Sequence, residues 1–148
     1  MQMKRKRILI LDDEEDILAG LSDVLLEEGY EIEGVTNANS ILEQFTLGGG
    51  RDFLPFDLCL LDFQMPAMDG LDFFREIRKI QFDLKTIVMT ADTNLARVQM
   101  AKSEGVAMVM QKPVDVPLLL NKIETMLSWC DEFNWERTDW LLWDTALC

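Results

Sequence analysis

Leu58-Cys59-Leu60-Leu61-Asp62-Phe63-Gln64-Met65-Pro66-Ala67-Met68-Asp69-Gly70 carries the plan of this chain. Four uninterrupted apolar residues run into a carboxylate and then into a turn rich in Pro and Gly. An apolar run without alternation reads as a strand covered on both faces. Asp62 therefore stands at the carboxyl end of a buried strand, the edge at which open α/β sheets hold their ligands. A second run, Ile8-Leu9-Ile10-Leu11, ends the same way, in Asp12-Asp13. Three carboxylates converging on one edge repel each other unless a cation lies between them. The arrangement suggests a magnesium site, and a carboxylate beside magnesium is a candidate phosphoryl acceptor.

Outward from that centre, short apolar runs alternate with longer helical patterns. Ile17, Leu18, Leu21, Val24 and Leu25 share one helix face, and Gly29 is placed to end that helix. Tyr30 to Val35 reads as a second strand, and residues 39–46 as a short helix capped by Asn37 or Asn39. Gly48-Gly49-Gly50 reads as a connector, because it lacks the Gly-Lys-Ser/Thr ending of a phosphate loop. The third strand is expected at 57–62, and Leu71, Phe74 and Ile77 mark the helix after it. Lys85 to Thr90 is a fourth strand; Leu95, Val98 and Ala101 mark a fourth helix closing near Gly105; Val106 to Met110 is a fifth, wholly apolar strand. Asp115 caps a fifth helix, with Pro117 in its first turn and Leu119, Ile123, Met126 and Leu127 on one side. Five strands alternating with five helices predict an α/β fold, a doubly wound parallel sheet with helices on both faces.

Composition removes several classes of function. The chain has 148 residues, 49% hydrophobic and 28% charged, which suits one domain with a real core. No apolar stretch approaches the roughly 20 residues of a membrane span. The basic start, Met1 to Arg7, is backed by too short an apolar run for a secretory signal, so a cytoplasmic protein is expected. A net charge of −13 makes nucleic acid an unsuitable direct partner. With no histidine, neither a Ser-His-Asp triad nor a histidine-ligated zinc site can be built from this chain. The cysteines Cys59, Cys130 and Cys148 have no metal-ligand spacing and suit a reducing compartment.

Each strand that could border the central crevice ends in a group able to handle phosphate: Asp12-Asp13, Asp62, Thr90 and, near the fifth, Lys112. Any one of these could be a cap or a surface charge; together they form a pattern. Two other acidic sites fit less well. The contiguous acids Asp12 to Asp16 lack the spacing and glycine of an EF-hand. A dehalogenase-type phosphatase would want an acid two residues after the nucleophile, where Gln64 stands.

On Asp12-Asp13-Glu14, Asp62 to Gly70, Thr90-Ala91 and Lys112-Pro113, the sequence resembles the receiver domain of two-component response regulators over about residues 5–129. The resemblance implies strand order 2-1-3-4-5. It implies that Asp62 takes a phosphoryl group from a phosphohistidine on a sensor histidine kinase or phosphotransfer protein. It implies that Asp12, Asp13, Asp62 and the Gln64 carbonyl hold Mg2+, that Lys112 binds the phosphoryl oxygens, and that Thr90 moves to donate its hydroxyl. It also implies a cis Lys112-Pro113 bond. The chemistry asks for the same residue types, since phosphoryl transfer spreads negative charge that a cation and an ammonium can stabilise. Such a domain is a signalling phosphoacceptor rather than an enzyme in its own right. Its output would be a surface of the fourth helix, fifth strand and fifth helix, available to an effector or a second copy.

Three features depart from that pattern. Val109 occupies the position where many receivers carry a switching aromatic, so the usual transmission route is missing. Gln64 and Asp92 flank the expected phosphoryl position and are predicted to tune the lifetime of the acyl phosphate. Residues 1–129 read as the receiver, and 130–148 as an acidic, Trp-rich, helical tail. Phe133, Trp140, Trp143 and Leu147 in that tail form either the buried face of an added helix or a docking and self-association element. The competing functional reading is a phosphate-independent interaction module that works through the tail.

Overall fold

The computed structural model describes residues 4–47 and 56–132, with side chains as far as Ser128. The Gly48–Gly50 connector and the expected aromatic face from Phe133 to Leu147 lie outside the described residues. The chain divides into two compact units, Met1–Pro113 and Val114–Cys148.

The first unit is built on β1 (Arg7–Leu11), β2 (Glu31–Val35), β3 (Leu58–Asp62), β4 (Lys85–Thr90) and β5 (Met108–Gln111). All pair in parallel, in the order β2-β1-β3-β4-β5. Between them run α1 (Glu15–Glu27), α2 (Ala38–Leu47), α3 (Gly70–Ile80) and α4 (Leu95–Ser103). The strand order is the one the resemblance implies; the apolar runs Ile8–Leu11 and Leu58–Leu61 are interior strands, while the apolar fifth strand lies at an edge. β3 is buried along its whole length, and β1 from Ile8 to Leu11. The edge strands β2 and β5 are only partly covered.

Pleating sends alternate residues to opposite faces. Leu9 and Leu11 of β1, Cys59 and Leu61 of β3, and Val88 of β4 share one face. There they pack with Ala38 and Ile41 of α2, Leu71, Phe74 and Ile77 of α3, and Ala101 of α4. Each such large side chain, removed from water, contributes about 1.5–3 kcal/mol. Cys59 sits inside this layer, fully buried, and burial pushes its thiol far above the ordinary range.

Helix ends follow from local chemistry. Asn37 is the residue that caps α2, its Oδ1 accepting from the Asn39 N–H at 2.9 Å. α1 and α4 close alike. Gly29 and Gly105 have φ of 93° and 105°. Their N–H groups donate to Leu26 and Lys102, while the next residues, Tyr30 and Val106, donate to Leu25 and Ala101. This paired pattern satisfies helix carbonyls that would otherwise be left without donors. It also corrects the expected start of the fifth strand. The Val106 N–H is spent on α4, the Ala107 N–H is the first to reach β4, at the Thr86 carbonyl, and β5 runs from Met108.

In the second unit, α5 runs Val116–Glu132. Asp115 caps it, with Oδ1 accepting from the Leu118 N–H at 3.0 Å, and Pro117 lies in the first turn. Leu119 and Ile123, one turn apart, are fully buried.

The turn after β3 is the tightest part of the first unit. Gly70 opens α3, and its N–H donates to the Phe63 carbonyl at 3.0 Å. A Cβ at Gly70 would lie 2.5 Å from the Asp62 carbonyl oxygen and 2.7 Å from Phe63 Cα. Both are main-chain atoms that cannot rotate away, so only glycine lets α3 start this close to the end of β3. Gly70→Ala is therefore expected to lower stability by about 1–3 kcal/mol. Urea unfolding checks this; an unchanged midpoint would show that the turn yields without cost.

Candidate functional site

Register brings the acids together. Leu11 pairs with Leu61, so the next residues on the two strands, Asp12 and Asp62, emerge side by side. Thr90 pairs with Gln111, which places Lys112 at the same edge, its N–H donating to the Thr90 carbonyl at 2.8 Å. The Lys112–Pro113 bond is cis, as the resemblance implies.

Three strand ends use one device. Asp12 Oδ1 accepts from the Glu14 N–H, Asp62 Oδ1 from the Gln64 N–H and Thr90 Oγ1 from the Asp92 N–H, each at 2.9 Å. A short side-chain acceptor bonded to the N–H two residues on turns the chain sharply out of the sheet. It also fixes the side chain that makes the bond. The second oxygens of Asp12 and Asp62 both accept from Lys112 Nζ, at 2.8 and 3.1 Å. A third acid, Glu14, reaches the same ammonium at 3.2 Å.

Asp12 is fully buried and Asp62 nearly so. Burial penalises the charged form of Asp62 and raises its carboxyl above the usual carboxylate range. The Gln64 N–H and the Lys112 ammonium oppose that rise without cancelling it, and the Asp12 charge adds to it. In the pH range between the ordinary and the raised value, the folded chain carries the proton more often than the unfolded one. This group therefore favours folding at low pH, and the contribution is lost as pH rises through the raised value. Burial works against the Lys112 charge as well, but its hydrogen bonds to Asp12 and Asp62 prevail and hold it above the usual lysine range.

One oxygen from each of Asp12, Asp13 and Asp62 lies within 4.8 Å of the others, a spacing that suits one bound cation. Carboxylate oxygens are the donors magnesium prefers, and half-buried Asp13 opens the group toward solvent for the waters that magnesium retains. Gln64 is exposed at its side chain, while its main chain lies against Asp62 through the bond described above. Thr90 is buried beside Met89, which pairs with Asp62. Every predicted site residue thus stands at one edge of the sheet.

With this edge and the strand order fixed, comparison with known proteins is decisive: the response regulator receiver domain family matches residues 8–124. The chain belongs to the response regulator receiver family. The receiver is 30% identical over 125 residues to sporulation initiation phosphotransferase F of Bacillus subtilis, covering 84% of this chain and 96% of that protein. It is 32% identical over 126 residues to the DNA-binding transcriptional regulator NtrC of Azospirillum brasilense, covering 85% of this chain but only 25% of that one. Among solved structures, the response regulator protein TrrA of Thermotoga maritima, in complex with Mg(2+)-BeF, superposes with a TM-score of 0.67 at 34% identity, over 82% of this chain and 99% of that one. Receiver domains serve two-component signalling and bind magnesium at an acidic pocket, and this chain carries such an acidic cluster.

Two residues the sequence left in the background belong to this edge. Glu14 gives Lys112 its third carboxylate. Arg97, on α4, bonds the carboxylates of Asp69 and Asp92 and lies over the Phe63 ring. Asp92, expected to tune the lifetime of the acyl phosphate, accepts at Oδ1 from the Asn94 N–H and at Oδ2 from Arg97.

Lys112→Met would leave Asp12 and Asp62 buried with no ammonium between them. In metal-free buffer it is expected to lose about 3 kcal/mol of stability. Magnesium should recover more of that loss than it adds to the parent, because it supplies the missing positive charge. Urea unfolding with and without magnesium tests this; an equal response in the two proteins would mean that Lys112 and the acids are not electrostatically coupled.

Proposed function

We propose that this receiver is a phosphoacceptor switch that takes a phosphoryl group onto Asp62 from a phosphohistidine of a sensor histidine kinase or phosphotransfer protein. The observation carrying the proposal is the shared ammonium: Lys112 holds Asp62 at 3.1 Å while two further acids stand within cation-sharing distance. A carboxylate oxygen of Asp62 attacks phosphorus, a P–O bond forms, and the P–N bond to the donor imidazole breaks. The departing ring nitrogen keeps the bonding pair and is neutral if its other nitrogen carries the proton. Lys112 then exchanges part of its contact with Asp62 for the equatorial phosphoryl oxygens, where negative charge gathers. Thr90 supplies a hydroxyl to the same oxygens. The absence of histidine from the chain is consistent with a donor that comes in trans.

Asp12, Asp13, Asp62 and the Gln64 carbonyl would hold magnesium, whose charge offsets that of the acids and of the incoming phosphoryl group. Asp12 and Asp13 would keep such a cation beside the nucleophile. The complete set of acids, hydroxyl and ammonium supports this reading over the phosphate-independent module. A cytoplasmic setting fits a kinase-fed switch; no described helix is long and apolar enough to cross a membrane. Output would pass to an effector or a second copy through α4 and β5, with Val109 half-buried at the usual aromatic position.

Incubated with acetyl phosphate and magnesium, the parent should gain the mass of one phosphoryl group and Asp62→Asn none. No gain in the parent with any phosphoryl donor would overturn the proposal. Replacing Gln64 and Asp92 together by Ala should change the half-life of the acyl phosphate several-fold, followed as loss of that added mass. An unchanged half-life would remove both residues from the hydrolytic step.

A further inference from the structure

We propose that Arg97 is a positioning residue for Thr90, a latch that holds the Thr90-Ala91-Asp92 turn in its resting place. The inference rests on the phosphoacceptor reading, since it concerns the hydroxyl which that reading assigns to the phosphoryl oxygens.

The chain of contacts is continuous. Thr90 Oγ1 accepts from the Asp92 N–H at 2.9 Å. Asp92 Oδ2 accepts from one arm of the Arg97 guanidinium at 3.4 Å. The other arm donates to Asp69 Oδ2. Asp69 is itself fixed, because its Oδ1 caps α3 by accepting from the Leu71 N–H at 2.9 Å. The guanidinium also lies 5.3 Å from the centre of the Phe63 ring, the residue after Asp62, which is buried.

One planar fork therefore ties the turn after β4 to the start of α3, at a place partly shielded from water. Side-chain exposure is 31% for Arg97 and 21% for Asp92. In this proposal Thr90 carries its hydroxyl toward Asp62 by a shift of its turn, and that shift breaks the tie that joins Asp92 to Asp69 through Arg97. The latch stabilises the resting arrangement and has no part in the arrangement that reaches the phosphoryl group. Its removal should therefore shift the population toward the latter. Arginine suits the task because its fixed fork spans two carboxylates at once, which a single ammonium does not.

Arg97→Met keeps an apolar stem over Phe63 and removes the fork. Two measurements on the full chain test the latch. Without donor or magnesium, the Asp92 amide should exchange with deuterium roughly tenfold faster in Arg97→Met than in the parent, by NMR. With magnesium and beryllofluoride as the phosphoryl mimic, Arg97→Met should bind about three- to tenfold tighter than the parent. Arg97→Lys, which retains the charge and loses the second arm, should fall between them and guards against a variant that merely unfolds. Unchanged exchange at Asp92, or beryllofluoride binding that is unchanged or weaker in both variants, would overturn the latch while leaving the phosphoacceptor reading intact. A parent that takes up no beryllofluoride would overturn both.

Discussion

A single ammonium sets the terms for the carboxyl edge of this sheet. Lys112 lies between two carboxylates that are almost entirely removed from water. Two such acids side by side are tolerable only with positive charge between them. The sheet supplies the proximity, since Leu11 and Leu61 are paired and the next residue on each strand is an acid. The fifth strand then delivers the lysine from a hundred residues further along the chain. Neighbouring elements hold these groups in place.

How they are kept still is uniform. The side chains that end β1, β3 and β4 each bond the main chain two residues on. The Asp12 and Asp62 oxygens not used in these turns both meet Lys112. Gly70 is the counterpart on the helical side: α3 starts so near β3 that a methyl group would strike the main chain of Asp62. The motif from Asp62 to Gly70 is thus explained by packing as much as by chemistry. Its first residue lies against Lys112, and its last allows the helix to close over the strand.

Much of this could be read from the residues. Ile8 to Leu11 and Leu58 to Leu61 had to be interior strands, because no polar face breaks their apolar runs, and the acids after them had to share an edge. The fifth strand misled because Val106 is apolar and buried yet spends its N–H on the end of α4. Hydropathy records burial and is blind to hydrogen-bond partners. Arg97 was not singled out, and Glu14 only as a member of the acidic run, for a related reason. Charged side chains on the open sides of turns and helices follow no period, and their partners are set by loop paths that no sequence pattern encodes. Asp92 was noticed for its position beside the crevice, but which way its carboxylate turned depended on an arginine five residues on.

Cys59 lies three residues before Asp62 on the same central strand, sealed from water with its thiol held protonated. Only a thiolate attacks an alkylating reagent, so this sulfur stays silent for as long as the helices over this face of β3 stay packed. Whatever opening exposes it must lift that helical layer from the sheet. Its alkylation is therefore a chemical stopwatch for the rare moments at which the strand carrying Asp62 loses its cover.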